Sequence, residues 1–533
     1  MSSLNLLEGG SLTGAAFEAD QIARCLQQVR EPVHIVGSPE GGPRGLTLES
    51  QLARPGAAGC PQLGTLPPLY PEWLGDRDFG AAHGVRFPYV AGEMARGIAT
   101  TRMVIAMARA EMLAMFGAAG LDAAAIDRAV HELSRALGGN RRWGVNLIYS
   151  PAEPALEERT ADLLLRSGVP IISASAYMDI TPPLARCAAA GLRLDPVGRI
   201  VRPVRIFAKV SRPEVAEKFM SPAPAGLLAA LVGRGQLTDD EARLAAQVPV
   251  AEDVTVEADS GGHTDNQPLG AMLPAILALR DALAARYGYR RRIRVGAAGG
   301  LGSPQAVAGA FALGAAYVLT GSVNQLAVES GVSDDARALL AQADLADVMM
   351  APAADMFELG VQVQVLRRGT MFGPRAGRLY EVYREYSSIE ELPPKVRGGL
   401  EREVLHASLD EVWAETVSFW QQRDPAQLAR AADDARHRMA LIFRWYLGSS
   451  SRWAVEGDTS RRTDYQLWAG PAVGAFNRWT AGSFLAQPGE RTVTQIALNL
   501  LEGAAVVTRA HQARTYGVPV PSHAFTFVPH RLR

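Results

Sequence analysis

GAAGGLGSPQAVAGAFALGAAYVLTGS, residues 296–322, is the stretch on which the fold turns. An apolar run of strand length, residues 293–297, leads into a loop carrying Gly299, Gly300 and Gly302. Ser303 and Pro304 then open a helical pattern, and a second apolar run ends in Thr320-Gly321-Ser322. Glycine lets backbone approach an anion closely, and the free N–H groups at a helix start face it with the positive end of the dipole. Glycines of this kind can also do no more than turn corners. Two such loops at the ends of successive strands are where α/β barrels commonly hold phosphate.

Working outward, short apolar runs alternate with helical patterns from residue 87 onward. The runs are PYVAGEM, MLAMFGA, WGVNLIY, VPIISAS, VRIFAKV, DVTVEAD, IRVGAAG and YVLTGS. Between them lie stretches such as TTRMVIAMARA and ALEERTADLLLRSG. Continuous apolar strands separated by helices indicate βα units on a parallel sheet, and eight units fit a (β/α)8 TIM barrel over 85–332. A doubly wound sheet is the structural rival. Residues 1–84, rich in Gly and Pro, form an N-terminal extension with one helix near 17–29 and a strand near 33–37. The aromatics Tyr70 and Trp73 suggest that this extension wraps onto the body. Residues 333–480 are expected to make a mainly helical substrate-binding or lid region, with helices near 334–346, 353–359, 379–385, 388–404, 409–419 and 426–447. Residues 481–533 complete the chain with a helix near 493–516 and a tail.

Composition sets the class. The 533 residues are 48% hydrophobic and 20% charged, with a formal net charge of −1. That balance gives no general attraction to nucleic acid or anionic membrane. The longest apolar run, 306–318, is too short to span a bilayer. Cys25, Cys60 and Cys187 are odd in number and widely spaced, which argues against a disulfide framework or a metal site. The N-terminus lacks the features of a secretory signal, so a cytoplasmic location is expected. No G-x-G-x-x-G follows a first strand, and no P-loop, H-E-x-x-H or G-x-S-x-G is present.

Further candidates sit at the other strand ends. The sixth run leads into EADSGGHTD, where Ser260, Gly261 and Gly262 make a donor-rich turn and His263 follows. An imidazole there can exchange protons near neutral pH, or it can be a loop histidine capping a helix. Lys209, in RIFAKVS, points into the same mouth and needs an anionic partner unless its ammonium snorkels to the rim. Asn146, in WGVNLIYS, both donates and accepts, which suits a heterocycle edge. Gly92, Glu93 and Met94 allow backbone close to a ring.

YVAGEMARGIAT, GVNLI, IFAKVS, EADSGGHTDNQP and the opening stretch together resemble the nitronate monooxygenase (2-nitropropane dioxygenase-like) superfamily. FGAAHGVRFPYVAG and MMAPAADMFELGVQVQVLRRGTMFGPRAGRLYEVYREY resemble one branch, the PfaD-type trans-acting enoyl reductases of polyketide and polyunsaturated fatty acid synthases. The resemblance covers roughly residues 30–480. It implies FMN, reduced by NADPH or NADH, and transfer of hydride to an enoyl thioester on an acyl carrier protein. It implies that Gly92, Met94, Asn146 and Lys209 contact the isoalloxazine or ribityl chain, that Ser260 and Gly262 line the flavin, and that Gly300, Gly302, Gly321 and Ser322 bind its phosphate. His263 aligns with the superfamily's active-site histidine, and Lys209 is the second catalytic candidate, facing the flavin N1–O2 locus. Arg367, Arg368, Arg375 and Arg378 are candidates for docking the acidic carrier protein or its phosphopantetheine phosphate, with an ordinary solvated face as the other reading. Synthase modules and a homodimer are the expected partners. Two other functions stay open: a nitronate monooxygenase using oxygen, and a non-catalytic assembly partner.

Overall fold

Each of the eight apolar runs forms a strand in the computed structural model, which describes residues 14–39, 41–51, 59–151 and 153–533. The strands are Tyr89–Ala91, Leu113–Phe116, Trp143–Ile148, Ile171–Ser175, Arg205–Val210, Asp253–Glu257, Arg294–Ala298 and Val318–Thr320. They close into one parallel barrel, the eighth pairing the first with Leu319 opposite Val90. Closure, rather than an open wound sheet, settles the architecture as (β/α)8.

Strand alternation sorts the side chains. Val90, Leu113, Met115, Ile171, Phe207, Tyr317 and Leu319 form a separate buried cluster inside the barrel. Tyr89, Ala91, Ala114, Ile172 and Ala174 join the larger core beneath the helices. The same parity puts Asp253, Thr255 and Glu257 on the interior at bottom, middle and top. The bottom is plugged by the helix Arg77–His83, whose Phe79 stacks on Tyr317 with ring centroids 4.4 Å apart. There Asp253 accepts from Arg294 Nε at 2.6 Å and Nη2 at 2.8 Å, and lies 3.1 Å from His83 Nε2. Burial would raise the Asp253 carboxyl, but His83 and Arg294 outweigh it and hold it well below the usual carboxylate range.

The eighth helical place is filled from far away in sequence. Val493–Thr515 packs between Pro304–Ala312 and Thr101–Arg109, the helices that follow the seventh and first strands. Residues 323–492 therefore form an excursion between strand eight and that helix. Its helices Leu409–Arg423 and Ala435–Glu456 stand over the C-terminal strand ends, and Phe372–Glu385 packs against Ala435–Glu456. It also holds a hairpin, Val348–Pro352 and Gln362–Leu366, that pairs with Gly262–His263 of the barrel. This corrects the helix expected at 353–359, where only the single 3-10 turn Phe357–Leu359 forms. The QVQVL run alternates with a period of two, and a strand tip supplies its partner. The helix expected at 388–404 is shorter, Pro394–Leu400, and continues as a π turn, Glu401–Leu405.

The extension contributes the helix Ala19–Gln27 and an antiparallel sheet in which Val33–Val36 lies between Gly45–Leu48 and Gln62–Leu66. Its leucines share a small core with Ala510, Ala513 and Val518. Trp73, expected to be buried, is 42% exposed, with Tyr70 and the Arg77 guanidinium against its ring. Among the described residues no single helix is long and apolar enough to cross a membrane.

A buried side chain of the last helix adds to this attachment. Arg509 Nη2 donates to Val29 O at 3.1 Å and Pro67 O at 2.6 Å, and Nη1 donates to Glu31 O at 3.3 Å. Burial pulls its guanidinium down to about 10. Arg509→Met keeps the packing but orphans the Glu31 and Pro67 carbonyls, Val29 O keeping its bond from Leu69 N, and should weaken this attachment by about 2 kcal/mol. Limited proteolysis should then cut first between residues 14 and 66, while the barrel survives. An unchanged cleavage pattern would count against the clamp.

Candidate active site

The C-terminal ends of the eight strands open into a cavity of about 700 Å³ roofed by the inserted helices. Met94, Asn146, Lys209, Ser260, Gly262, His263, Gly300, Gly321 and Ser322 all line it. Residues far apart in the chain thus converge, because each lies at or just beyond the C-terminal end of a strand of one closed barrel.

Strand tips seven and eight form the donor-rich side. Gly300 has φ +71° and open space where a Cβ would stand, so a side chain there would be strained and would fill the cavity. Gly321 also borders open space, at φ −123°. Among the described residues nothing accepts from the backbone N–H of Gly300, Gly321 or Ser322. Ser322 begins the 3-10 turn Ser322–Leu326, so these amides point from a helical start. Beside them the Ser260 hydroxyl is buried with no partner of its own. A buried unpaired hydroxyl and three free amides make a site whose chemistry fits a phosphomonoester.

Lys209 finds its anionic partner within the chain. Its Nζ lies 2.9 Å from Glu257 Oε1 and 3.4 Å from Glu93 Oε1. Ser173 and Ser175 donate to that same Glu93 oxygen, at 3.0 and 2.6 Å. Burial would lower the lysine, but the two carboxylates overcome it and raise its pKa, so the ammonium keeps its proton at neutral pH. Glu93 is held below its usual range, burial being outweighed by Lys209 and the two serines. Lys209 and Glu93 therefore face each other as a protonated ammonium and an ionised carboxylate at neutral pH. Glu93 and Glu257 as ion-pair partners escape a sequence reading, since only barrel closure brings three separate strand ends together.

His263 lies at the mouth, beyond strand six, on the short strand Gly262–His263, held by the pairing of His263 with Val363. Its Nε2 is 3.1 Å from Asp355 Oδ1. Desolvation lowers the imidazole pKa, but Asp355 and then Glu257 outweigh it, so the net direction is up. Asp355 carries no signal of this role in the sequence; it lies 92 residues from His263, in the stretch where a helix is expected. Asn146 spends its oxygen on the amides of Ala118 and Ala119, at 2.7 and 3.2 Å, which leaves its Nδ2 donor for the cavity.

Other expected residues lie elsewhere. Gly302 does not line the cavity: its N–H donates to Gly300 O, and a Cβ there would meet Ala472 O at 2.0 Å. It lets the roof pack on the barrel, and is not placed to bind phosphate. Gly92 is buried against Leu319, with its N–H on Thr320 O. Of the four arginines, Arg375 is paired with the buried Asp464, Arg368 with Asp347 and Arg378 with Glu403. Only Arg367 is exposed without such a pair among the described residues, and none of the four reaches the cavity.

Known proteins share parts of this geometry. A protein family described as the inserted helical domain of [acyl-carrier-protein] S-malonyltransferase matches residues 386–465, within the roof. A polyunsaturated fatty acid synthase polypeptide of Thraustochytrium is 45% identical over 448 residues, 83% of this chain and 30% of that protein. Polyketide biosynthesis protein PksE of Bacillus subtilis is 42% identical over 452 residues, 85% of this chain and 58% of that one. The chain thus spans only part of each of these relatives. The enoyl reductase domain of MlnA, from the macrolactin biosynthesis cluster of Bacillus amyloliquefaciens, superposes with a TM-score of 0.79 at 34% identity, covering 83% of this chain and 99% of that domain. Shared sequence and shared architecture over that whole domain place the chain: it belongs to the family of the MlnA enoyl reductase domain, oxidoreductases built on a (β/α)8 barrel.

Proposed function

We propose that the chain is an FMN-dependent enoyl reductase that acts in trans on α,β-unsaturated acyl thioesters borne by acyl carrier protein, with NADPH or NADH as reductant. The observation that carries this reading is the set of unpaired donors at strand tips seven and eight, facing a cavity that His263 also lines. Bound there, FMN would supply two-electron hydride transfer between nicotinamide and the β-carbon of the enoyl group. The chain's own residues do the rest. Gly300, Gly321, Ser322 and Ser260 hold the phosphate, and Asn146 Nδ2 and Met94 border the ring. The Lys209 and Glu93 pair fixes the local charge.

The thioester becomes an enolate as hydride arrives at the β-carbon, and a proton must reach the α-carbon. His263, kept protonated toward neutral pH by Asp355, is the donor in this reading. Because Nε2 faces Asp355, Nδ1 is the nitrogen free to deliver the proton. Hydride and proton together account for the two hydrogens added. The curated relatives are polyketide and polyunsaturated fatty acid synthase proteins, which supports a carrier-bound substrate.

Gly321→Asp tests the phosphate site at a glycine with negative φ and open space where a Cβ would stand. It should purify colourless and bind FMN at least about 100-fold more weakly, because like charges at close range cost several kcal/mol. Retained yellow colour would remove the phosphate from this place. His263→Ala should keep the flavin and lose about 10²-fold in turnover of a carrier-bound enoyl thioester. Unchanged turnover would remove His263 from the proton step, and bleaching by a nitronate without nicotinamide would favour oxygen as the electron acceptor. Asp355 raises the imidazole pKa, so activity that needs the imidazolium is full below that pKa and falls as pH rises through it. Asp355→Asn should shift this alkaline limb to lower pH; an unmoved limb would separate His263 from the proton step.

A further inference from the structure

Away from the strand tips, the cavity is walled by the loop after the first strand and by the roof helices Leu409–Arg423 and Ala435–Glu456. Arg96, Arg423 and Arg452 meet there. Arg96 occupies the left-handed region with φ +57°, a costly backbone for arginine, fixed by its N–H on Ala119 O. Its guanidinium makes one hydrogen bond, to Gly448 O at 3.0 Å, and pairs with no carboxylate among the described residues. Burial and then the charges of Arg452 and Arg423 pull it down to about 10, which Glu456 only partly offsets. The neighbouring acids are engaged: Glu153 accepts from Arg423 at 2.6 Å, Glu456 lies 3.7 Å from Arg452, and Glu415 accepts from the Trp445 indole at 2.9 Å.

A guanidinium held in strained backbone beside two like charges, with no anion of its own, is organised for a ligand that brings one. Arg452 is 49% exposed and Arg423 24%, so the cluster sits toward solvent while the glycine tips lie inside. We propose that Arg96, with Arg423 and Arg452, binds a phosphate group of the ligand that enters this cavity, separately from the strand-tip site. This rests on the enoyl reductase reading, under which two ligands bring such a group: the pantetheine arm, through its phosphodiester, and the nicotinamide dinucleotide. The four arginines after residue 366 do not reach the cavity, so this cluster takes over the anion-anchoring role expected of them.

The test uses the FMN-loaded full chain and two variants, Arg96→Gln and the half-exposed Arg452→Gln, which should fold whatever the first does. KM is measured for an enoyl phosphopantetheine thioester, for the matching pantetheine thioester without phosphate, and for NADPH and NADH. A rise of about tenfold confined to the phosphorylated thioester, as expected on losing one charge-assisted contact, assigns the cluster to the arm. A rise confined to the dinucleotides assigns it to the reductant. No change beyond twofold in either variant overturns the proposal while leaving the reductase reading intact. Should wild-type protein reduce no enoyl thioester, that reading fails, and calorimetric titration with 4′-phosphopantetheine and with NADPH still decides the cluster. Tenfold weaker binding of either in the variants upholds it, and no binding of either to wild type overturns it.

Discussion

Closing eight parallel strands on themselves satisfies every strand edge and leaves the backbone at the strand ends with nothing to pair with. That constraint organises this molecule. Inside the barrel, alternation brings Lys209, Glu257, Ser173, Ser175 and Asn146 up to one rim, while Asp253 and Arg294 are buried at the other. The lower charges pair with each other and plug the floor with His83. The upper ones cannot be covered in the same way, because the chain must leave each strand there. Charge, open glycine backbone and unpaired amides therefore collect at a single mouth, which is why barrels place chemistry at this end.

Much of this is legible in the sequence. The eight strand runs and the glycine loops have local signatures, apolar length and turn residues, and each forms where its pattern lies. What stays hidden depends on pairing across distance. The hairpin Val348–Pro352 and Gln362–Leu366 is stabilised by the strand tip at Gly262–His263, so local propensity around residues 353–359 points to a helix. Asp355 shares that fate, since its value lies in reaching His263. Glycine is the most ambiguous letter of all: Gly300 opens a cavity, whereas Gly302, two residues on, admits the Ala472 backbone. The motif is the same to a reader of sequence, and only three-dimensional neighbours separate the two.

The roof is part of the site's construction. Gln364 donates to Asp259 Oδ1 and to Ser260 O, both at 2.7 Å, and Gly470 N donates to Ser322 Oγ at 3.2 Å. Strand tips six and eight are thus each tied to the insertion by hydrogen bonds, and His263 is held in a sheet completed by it. The barrel side and the roof side of the cavity are set by the same contacts. Rigid placement of this kind suits chemistry in which reacting groups must be aligned before they meet.

The helix Val493–Thr515 occupies the last place in the ring although the whole roof lies between it and the strand it serves. During synthesis, a chain extending only to the roof would carry a ring open on one side, with the apolar flanks of Pro304–Ala312 and Thr101–Arg109 facing water. Domains generally acquire their structure as they leave the ribosome, N-terminal parts first. Here the seal comes late: a nascent chain has to shelter that gap until the residues beyond 493 emerge, and the same event delivers Arg509 to the extension made at the start.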